Sequence, residues 1–342
     1  MFIALATTFS WSVADSALTA TKSAVTVLSA PLPSDYEAVA VDSTNNEAYV
    51  ALGNDSGGTV STINLSSGKN ARTTAHFGGL VTDLALSGDG SRLYIPIQCG
   101  CAGGSVAVLD TQTNQVTNTI DIGGSAYTAA VSPNHQLIFV TGYSPQGTTF
   151  LNFIESANQR VVAKVPVAPQ QTAIAVSPSG ATVYLASEEG GGQSKLEVVN
   201  VAEARVVATI DEGRLDACEL AANPNGKTVY ESICTAGSPN FALRVLDTKS
   251  NSLTSVRGTE AGARAVVISD DGRYALVAGP YGIGLVDAAT NKLASTIPLP
   301  LGNYLYLTSL SVSQRNGRLL YAAIDYLTGP DRLLALRIPV DT

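Results

Sequence analysis

LALSGDGSRLYIP, running from Leu84 to Pro96, is an apolar run, a tight polar turn and a second apolar run. Gly and Asp suit the turn, and the branched and aromatic residues on either side suit two antiparallel strands. The pattern recurs as AVAVDSTNNEAYVA from Ala38, AAVSPNHQLIFVT from Ala129, IAVSPSGATVYLA from Ile174, LAANPNGKTVYES from Leu220, VVISDDGRYALVA from Val266 and LSVSQRNGRLLYAA from Leu310. The residues that open the turns are Asp42, Ser87, Ser132, Ser177, Asn223, Ser269 and Ser313, spaced by 45, 45, 45, 46, 46 and 44. So regular a period makes the 342 residues an array of one supersecondary unit rather than two unrelated domains.

Each unit continues through a Gly-rich or polar loop to a third strand, such as GSVAVLD (104–110) or ALRVLD (242–247). A polar turn such as TQTNQ (111–115) follows, then a fourth strand such as VTNTIDI (116–122) or LASTIPL (293–299). Four short antiparallel strands at this period predict an all-β, seven-bladed propeller in which neighbouring sheets cover each other's faces. The last unit stops after its third strand, LLALRIP (333–339), while AVTVLSA (24–30) precedes the first blade without a sheet of its own. Pairing these two would complete the final blade and remove an open sheet edge. The expected organisation is therefore an N-terminal extension over 1–23 and one propeller domain over 24–342.

The unit SGDGSRLYIPIQ…GSVAVLDTQTNQVTNTIDIGG (87–124) resembles the repeat of the YVTN β-propeller family, as do Ser177-Pro178-Ser179-Gly180 with Tyr184, and Asp287 with Thr290-Asn291-Lys292. The resemblance extends over about residues 24 to 342 and implies the seven-bladed fold. For function it implies little, since the motif residues serve turns and inter-blade packing.

Composition excludes several classes. Hydrophobic residues make up 45% and charged residues 14%, so the chain has material for a core and is not disordered. No apolar run reaches the length of a membrane span. Twenty Lys+Arg against 28 Asp+Glu give a net charge of −8 without a basic cluster, which argues against nucleic acid as a partner.

In a propeller the loops entering the first strands ring one mouth of the central channel. Five positions before the turn residue stand Glu37, Thr82, Tyr127, Thr172, Cys218, Arg264 and Thr308, with Tyr36, Asp83, Gln171, Asp216, Glu219, Tyr304 and Tyr306 nearby. In a functional reading Arg264 anchors an anionic group, Glu37, Asp83 or Glu219 serves as general acid or base, and Tyr127 donates a hydrogen bond. Tyr36, Thr82, Gln171, Thr172, Asp216, Cys218, Tyr304, Tyr306 and Thr308 would line the ligand. In the plainer reading these are polar groups wetting a channel mouth, with Arg264 paired to a neighbouring carboxylate. The loop AGPYGIG (278–284), read as the shortest between second and third strands, would leave a notch beside Arg264.

The two histidines fall away from the mouth in the repeat register, His135 in a first-to-second-strand turn on the opposite face and His76 in the outermost strand of blade one. A Ser-His-Asp triad or a zinc site of usual spacing is therefore not expected, and the histidine bases of some seven-bladed lyases and lactonases have no counterpart. No metal site or cofactor is expected; GNDSGG (53–58) reads as a turn or a calcium loop. Cys99 and Cys101, and Cys218 and Cys234, read as two local disulfides, with a soft-metal or redox Cys-x-Cys and plain thiols as the alternatives. FIALATTF (2–9) and SALTA (16–20) read as a signal remnant, an extension of the first strand or disorder, no Lys or Arg preceding the apolar part. Paired cysteines and low charge lean towards export. Two functions from different classes remain. One is a monomeric module binding a small molecule, glycan or protein at the channel mouth. The other is a histidine-independent lyase, lactone hydrolase or cyclase acting there on an anionic or polycyclic substrate.

Overall fold

The computed structural model describes residues 25–32, 36–54, 57–74, 76–98, 104–189, 193–215, 217–234, 243–256, 258–259, 263–279, 282–298, 304–312, 319–326 and 331–337. Residues 1–24, and with them the whole extension over 1–23, lie outside them, as do Cys99 and Cys101 of the proposed first bridge.

Seven antiparallel sheets form, each from consecutive strands except the last. Blade three, for instance, runs Ser125–Val131, Leu137–Tyr143, Thr149–Glu155 and Arg160–Pro166 in spatial order. The seventh sheet takes Tyr304–Val312, Leu319–Tyr326 and Arg332–Arg337 and is completed by Val25–Pro31, which pairs antiparallel with Arg332–Arg337. The ring thus closes by the N-terminal strand, as the unmatched segment predicts.

The turn residue has a physical task. Ser87 Oγ accepts from the amide of Arg92 at 2.9 Å, and Ser132, Ser177 and Ser269 repeat this with Leu137, Thr182 and Tyr274 at 2.9, 3.0 and 3.0 Å. A buried turn end therefore keeps its backbone donor satisfied. Three residues on, Gly90 and Gly272 both have φ +70°, and a Cβ there would stand 2.4 Å from Asp42 Oδ2 and 2.6 Å from Asn223 Oδ1 of the preceding blade. Glycine meets both demands at once, the left-handed turn and the close seam. The repeat tyrosines Tyr49, Tyr94, Tyr184 and Tyr230 are buried in the clusters between neighbouring blades, Tyr49 for example with Leu93 and Ile95.

Three expectations need correction. The inner strand of blade two is broken into Leu80–Val81 and Ala85–Leu86, because Asp83 takes the amide of Leu84 at 2.7 Å and turns the backbone between them. His76 is not in the outermost strand, which ends at Thr73. It follows on an exposed connection beside Phe77, whose bridge to Gly58 carries the chain back towards the mouth-side loops. The second-to-third-strand connection of blade six has no special shortness, since strands ending at Gly279 and starting at Gly282 leave the same interval as Asn54 and Gly57 in blade one. Residues 280–281, where the notch would lie, and 55–56 of GNDSGG are outside the described residues.

A charged cluster interrupts the apolar seam between blades four and five. Arg244 Nη2 lies 2.5 Å from Glu212 Oε1 and 2.6 Å from Glu231 Oε2, and Arg244 Nε donates to the latter at 2.8 Å. All three side chains are buried. Two carboxyls share one cation, so burial and the repulsion of Glu231 push Glu212 up to about 9, and burial raises Glu231 as well.

Candidate functional site

The first strands line a central cavity of about 550 Å³. Its walls include Glu37, Thr82, Tyr127, Thr172, Cys218 and Arg264, together with Asp83, Gln171 and Glu219. The structure thus brings these nine candidates together. Tyr36 is placed elsewhere, half-buried against the cluster between blades seven and one. Asp216 lies outside the described residues, and so do the side chains of Tyr304, Tyr306 and Thr308 in the strand Tyr304–Val312, which reaches the cavity through Leu310 and Ser311.

A backbone irregularity presents the rim. Register shifts fall between Tyr36 and Ala38, Ala126 and Ala129, Gln171 and Ala173, and Ala217 and Glu219. Glu37, Tyr127, Thr172 and Cys218 are thus extra residues in β-bulges, which break the alternation of the pleat and re-aim side chains. In blade six Arg264 precedes the strand Val266–Ile268, with Ala265 accepting from Ala278 at 2.9 Å. Glu37, Thr172 and Arg264 are exposed, while Gln171 is buried.

The tier below carries two carboxyls in equivalent positions. Asp83 Oδ2 accepts from Thr128 Oγ1 at 2.7 Å and from the amide of Ala129 at 2.8 Å in the next blade. Glu219 Oε2 accepts from the amide of Val266, again in the next blade, at 3.0 Å. Each carboxyl therefore fastens a seam as well as facing the cavity. Burial raises Asp83 against the pull of these bonds. Burial and the repulsion of Asp83 carry Glu219 up to about 8, outweighing the lowering by the Val266 amide. Val39, Val41, Leu84, Ile174, Leu220 and Leu310 are the large apolar residues of the lining.

Tyr127 has two neighbours that reading the first strands alone misses. Its ring stacks on Tyr143 with centroids 5.3 Å apart, and Gln98 Nε2 donates to its hydroxyl at 3.2 Å. Burial and the bond shared with Tyr143 raise Tyr127, whereas that same bond lowers Tyr143. The available signal was positional, because Gln98 and Tyr143 both end second strands and so reach the mouth.

Cys218 and Cys234 form a disulfide with Cα atoms 5.8 Å apart, and Cys218 lines the cavity. The bulge between Ala217 and Glu219 brings Cys218 opposite the end of the second strand. With the cysteines 16 positions apart in sequence, loss of the crosslink is expected to lower stability by about 3 kcal/mol. Thermal unfolding should show this as a drop for Cys234→Ala equal to that on reducing the wild type; no drop in either would assign the bond no stabilising role. Among the described residues no group of three or more His, Cys, Asp or Glu side chains converges as a metal site.

Sheet count, closure and channel define a seven-bladed β-propeller. No family model and no curated protein matches the chain, which leaves the YVTN resemblance resting on the repeat residues. Solved structures match in fold. Kuenenia stuttgartiensis hydrazine synthase matches with a TM-score of 0.72 at 15% identity, over 90% of this chain and 97% of that one. The Cps50 (Swd1) β-propeller domain of Myceliophteria thermophila matches with a TM-score of 0.66 at 14% identity, over 92% and 99%. At such identities the likeness is one of fold. No helix of the described residues is long and apolar enough to cross a membrane.

Proposed function

We propose that the protein binds a small molecule at the channel mouth. The observation that carries this is the cavity of about 550 Å³, a volume in the range of ligand sites, walled by bulged polar residues and by apolar side chains of the same first strands. Glu37 and Arg264 are exposed there, so Glu37→Ala and Arg264→Ala are expected to leave the melting temperature within a few degrees while weakening the ligand. Thr172→Trp, at an exposed bulge, places an indole over the mouth. A thermal-shift screen of polar metabolites should give compounds that stabilise the wild type and not Thr172→Trp. Equal shifts in both proteins would reject the site.

Glu219 favours a second reading, turnover at the same place. A carboxyl held un-ionised by burial is a proton donor at neutral pH, the role a histidine-free lyase or hydrolase needs. Turnover of a screened compound that survives Glu219→Gln unchanged would exclude it.

A further inference from the structure

We infer that the tier beneath the rim takes a primary ammonium group carried on a short apolar body, an inference that rests on the channel-mouth reading. The cavity wall is rich in acceptors that no protein group answers. Glu219 Oε2 is held by Val266, while Oε1 has no hydrogen-bond partner among the described residues. Gln171 is only 8% exposed, and its Nε2 donates to Ala168 O at 2.6 Å. Its Oε1 is buried without a donor. Asp83 is held by backbone amides and a hydroxyl, none of which carries charge.

The titratable side chains on the wall are Glu37, Asp83, Tyr127, Glu219 and Arg264, Cys218 being in its disulfide. Arg264 is the only cationic one among the described lining residues, and it lowers neither Asp83 nor Glu219. Glu219 instead feels the repulsion of Asp83. A charge of +1 would offset that repulsion, and its N–H groups would supply the donor that Glu219 Oε1 lacks. A carboxylate placed there would add a like charge to two carboxyls. The apolar residues of the lining suit an alkyl body, and the chain's net charge of −8 draws cations towards the molecule.

Binding places a cation beside Glu219, whose carboxyl then ionises and passes its proton to the solvent. The affinity for an ammonium should therefore rise as pH climbs towards about 8 and level off above it. Calorimetry of the full chain with hexylammonium, hexan-1-ol and hexanoate separates charge from shape. Hexylammonium is expected to bind roughly tenfold or more tightly than either isostere at pH 7.5, with net proton release measured in buffers of different ionisation enthalpy. Glu219→Gln, which keeps an acceptor for Val266, should abolish the proton release and the pH dependence. Failure of hexylammonium to bind, or equal binding of an isostere, overturns the ammonium class. If the bound isostere is lost in Thr172→Trp, the channel site itself stands. Hexylammonium binding that Thr172→Trp leaves unchanged rejects the site, and the ammonium assignment with it.

Discussion

Arg244→Met is expected to lower the unfolding free energy by about 3–5 kcal/mol at pH 8, the cost of leaving buried carboxyls without their cation. Both Glu212 and Glu231 touch Arg244 within 2.6 Å, and Glu212 Oε2 and Glu231 Oε1 are buried without other partners. At pH 5 the loss should shrink, because the stranded carboxyls are neutralised by protons already abundant in solution. The wild type carries the same signature in milder form. Glu212 is raised from an ordinary 4.5 to about 9, so between those values the folded chain holds a proton that the unfolded chain releases. Its contribution is whole below 4.5 and is lost as pH rises through about 9, a slope of roughly 1 kcal/mol per pH unit. Glu212→Gln imitates the protonated acid, keeps an oxygen for Arg244 and needs no proton. It should therefore be more stable than the wild type at pH 8 and about equal at pH 4.5. Urea unfolding at these pH values reads both variants; wild type and Glu212→Gln curves that run parallel across pH would show that Glu212 is not the group holding the proton.

The same cluster shows what a sequence displays openly and what it hides. Turn residues at a fixed interval reveal the blades, because each must answer the same backbone donor, as Ser87 does for Arg92. The closing strand is legible for a related reason, since an apolar segment with no blade must find a partner. Glu231 in TVYESI and Arg244 in ALRVL were also visible as charges inside apolar strands, yet nothing local joins them to Glu212 across a seam. The candidate site divides in the same way. Register picks out Glu37, Tyr127, Thr172 and Arg264 as rim residues, but the bulges that re-aim them depend on how inner strands pack around a ring. Asp83 and Glu219 look like free acids in sequence and prove to be seam fasteners as well, because their partners are backbone amides of the next blade, groups common to every residue and therefore silent in any motif. Tyr143 and Gln98 come from second strands, and while Tyr143 meets Tyr127 within blade three, Gln98 reaches it only once blades two and three are side by side.

Deleting residues 1–32 is expected to cost the fold most of its stability, because it opens the ring. Val25–Pro31 supplies one whole side of the ladder to Arg332–Arg337, from Val25 opposite Arg337 to Pro31 opposite Arg332. Leu32 adds a backbone bond to Asp331 O at 2.7 Å, and Arg332 Nη1 donates to Ser29 Oγ at 2.9 Å. The strand is also core: Ala30 and Leu32 are buried and Leu28 packs beside them, against Val50, Ile63 and Leu65 of blade one and Tyr321, Leu333 and Ala335 of blade seven. Burial of two leucines at about 1.5–3 kcal/mol each, with ladder bonds at about 1 kcal/mol, puts the loss at roughly 5–8 kcal/mol. That approaches the whole stability of an ordinary domain. The strand Arg332–Arg337 would be left as an open edge beside apolar residues, a template for association with other chains. The truncated chain should melt far below the wild type or emerge from size exclusion as aggregate. Leu32→Ala, which keeps the ladder and removes one buried side chain, should cost about 2–5 kcal/mol in urea unfolding and stay monodisperse. Residues 25–32 re-attached after Thr342 through a short Gly/Ser linker can fold back antiparallel onto Arg332–Arg337, and this permuted chain should recover the lost stability. A truncated chain with the wild-type melting temperature and elution volume would mean that the ring holds without its N-terminal strand.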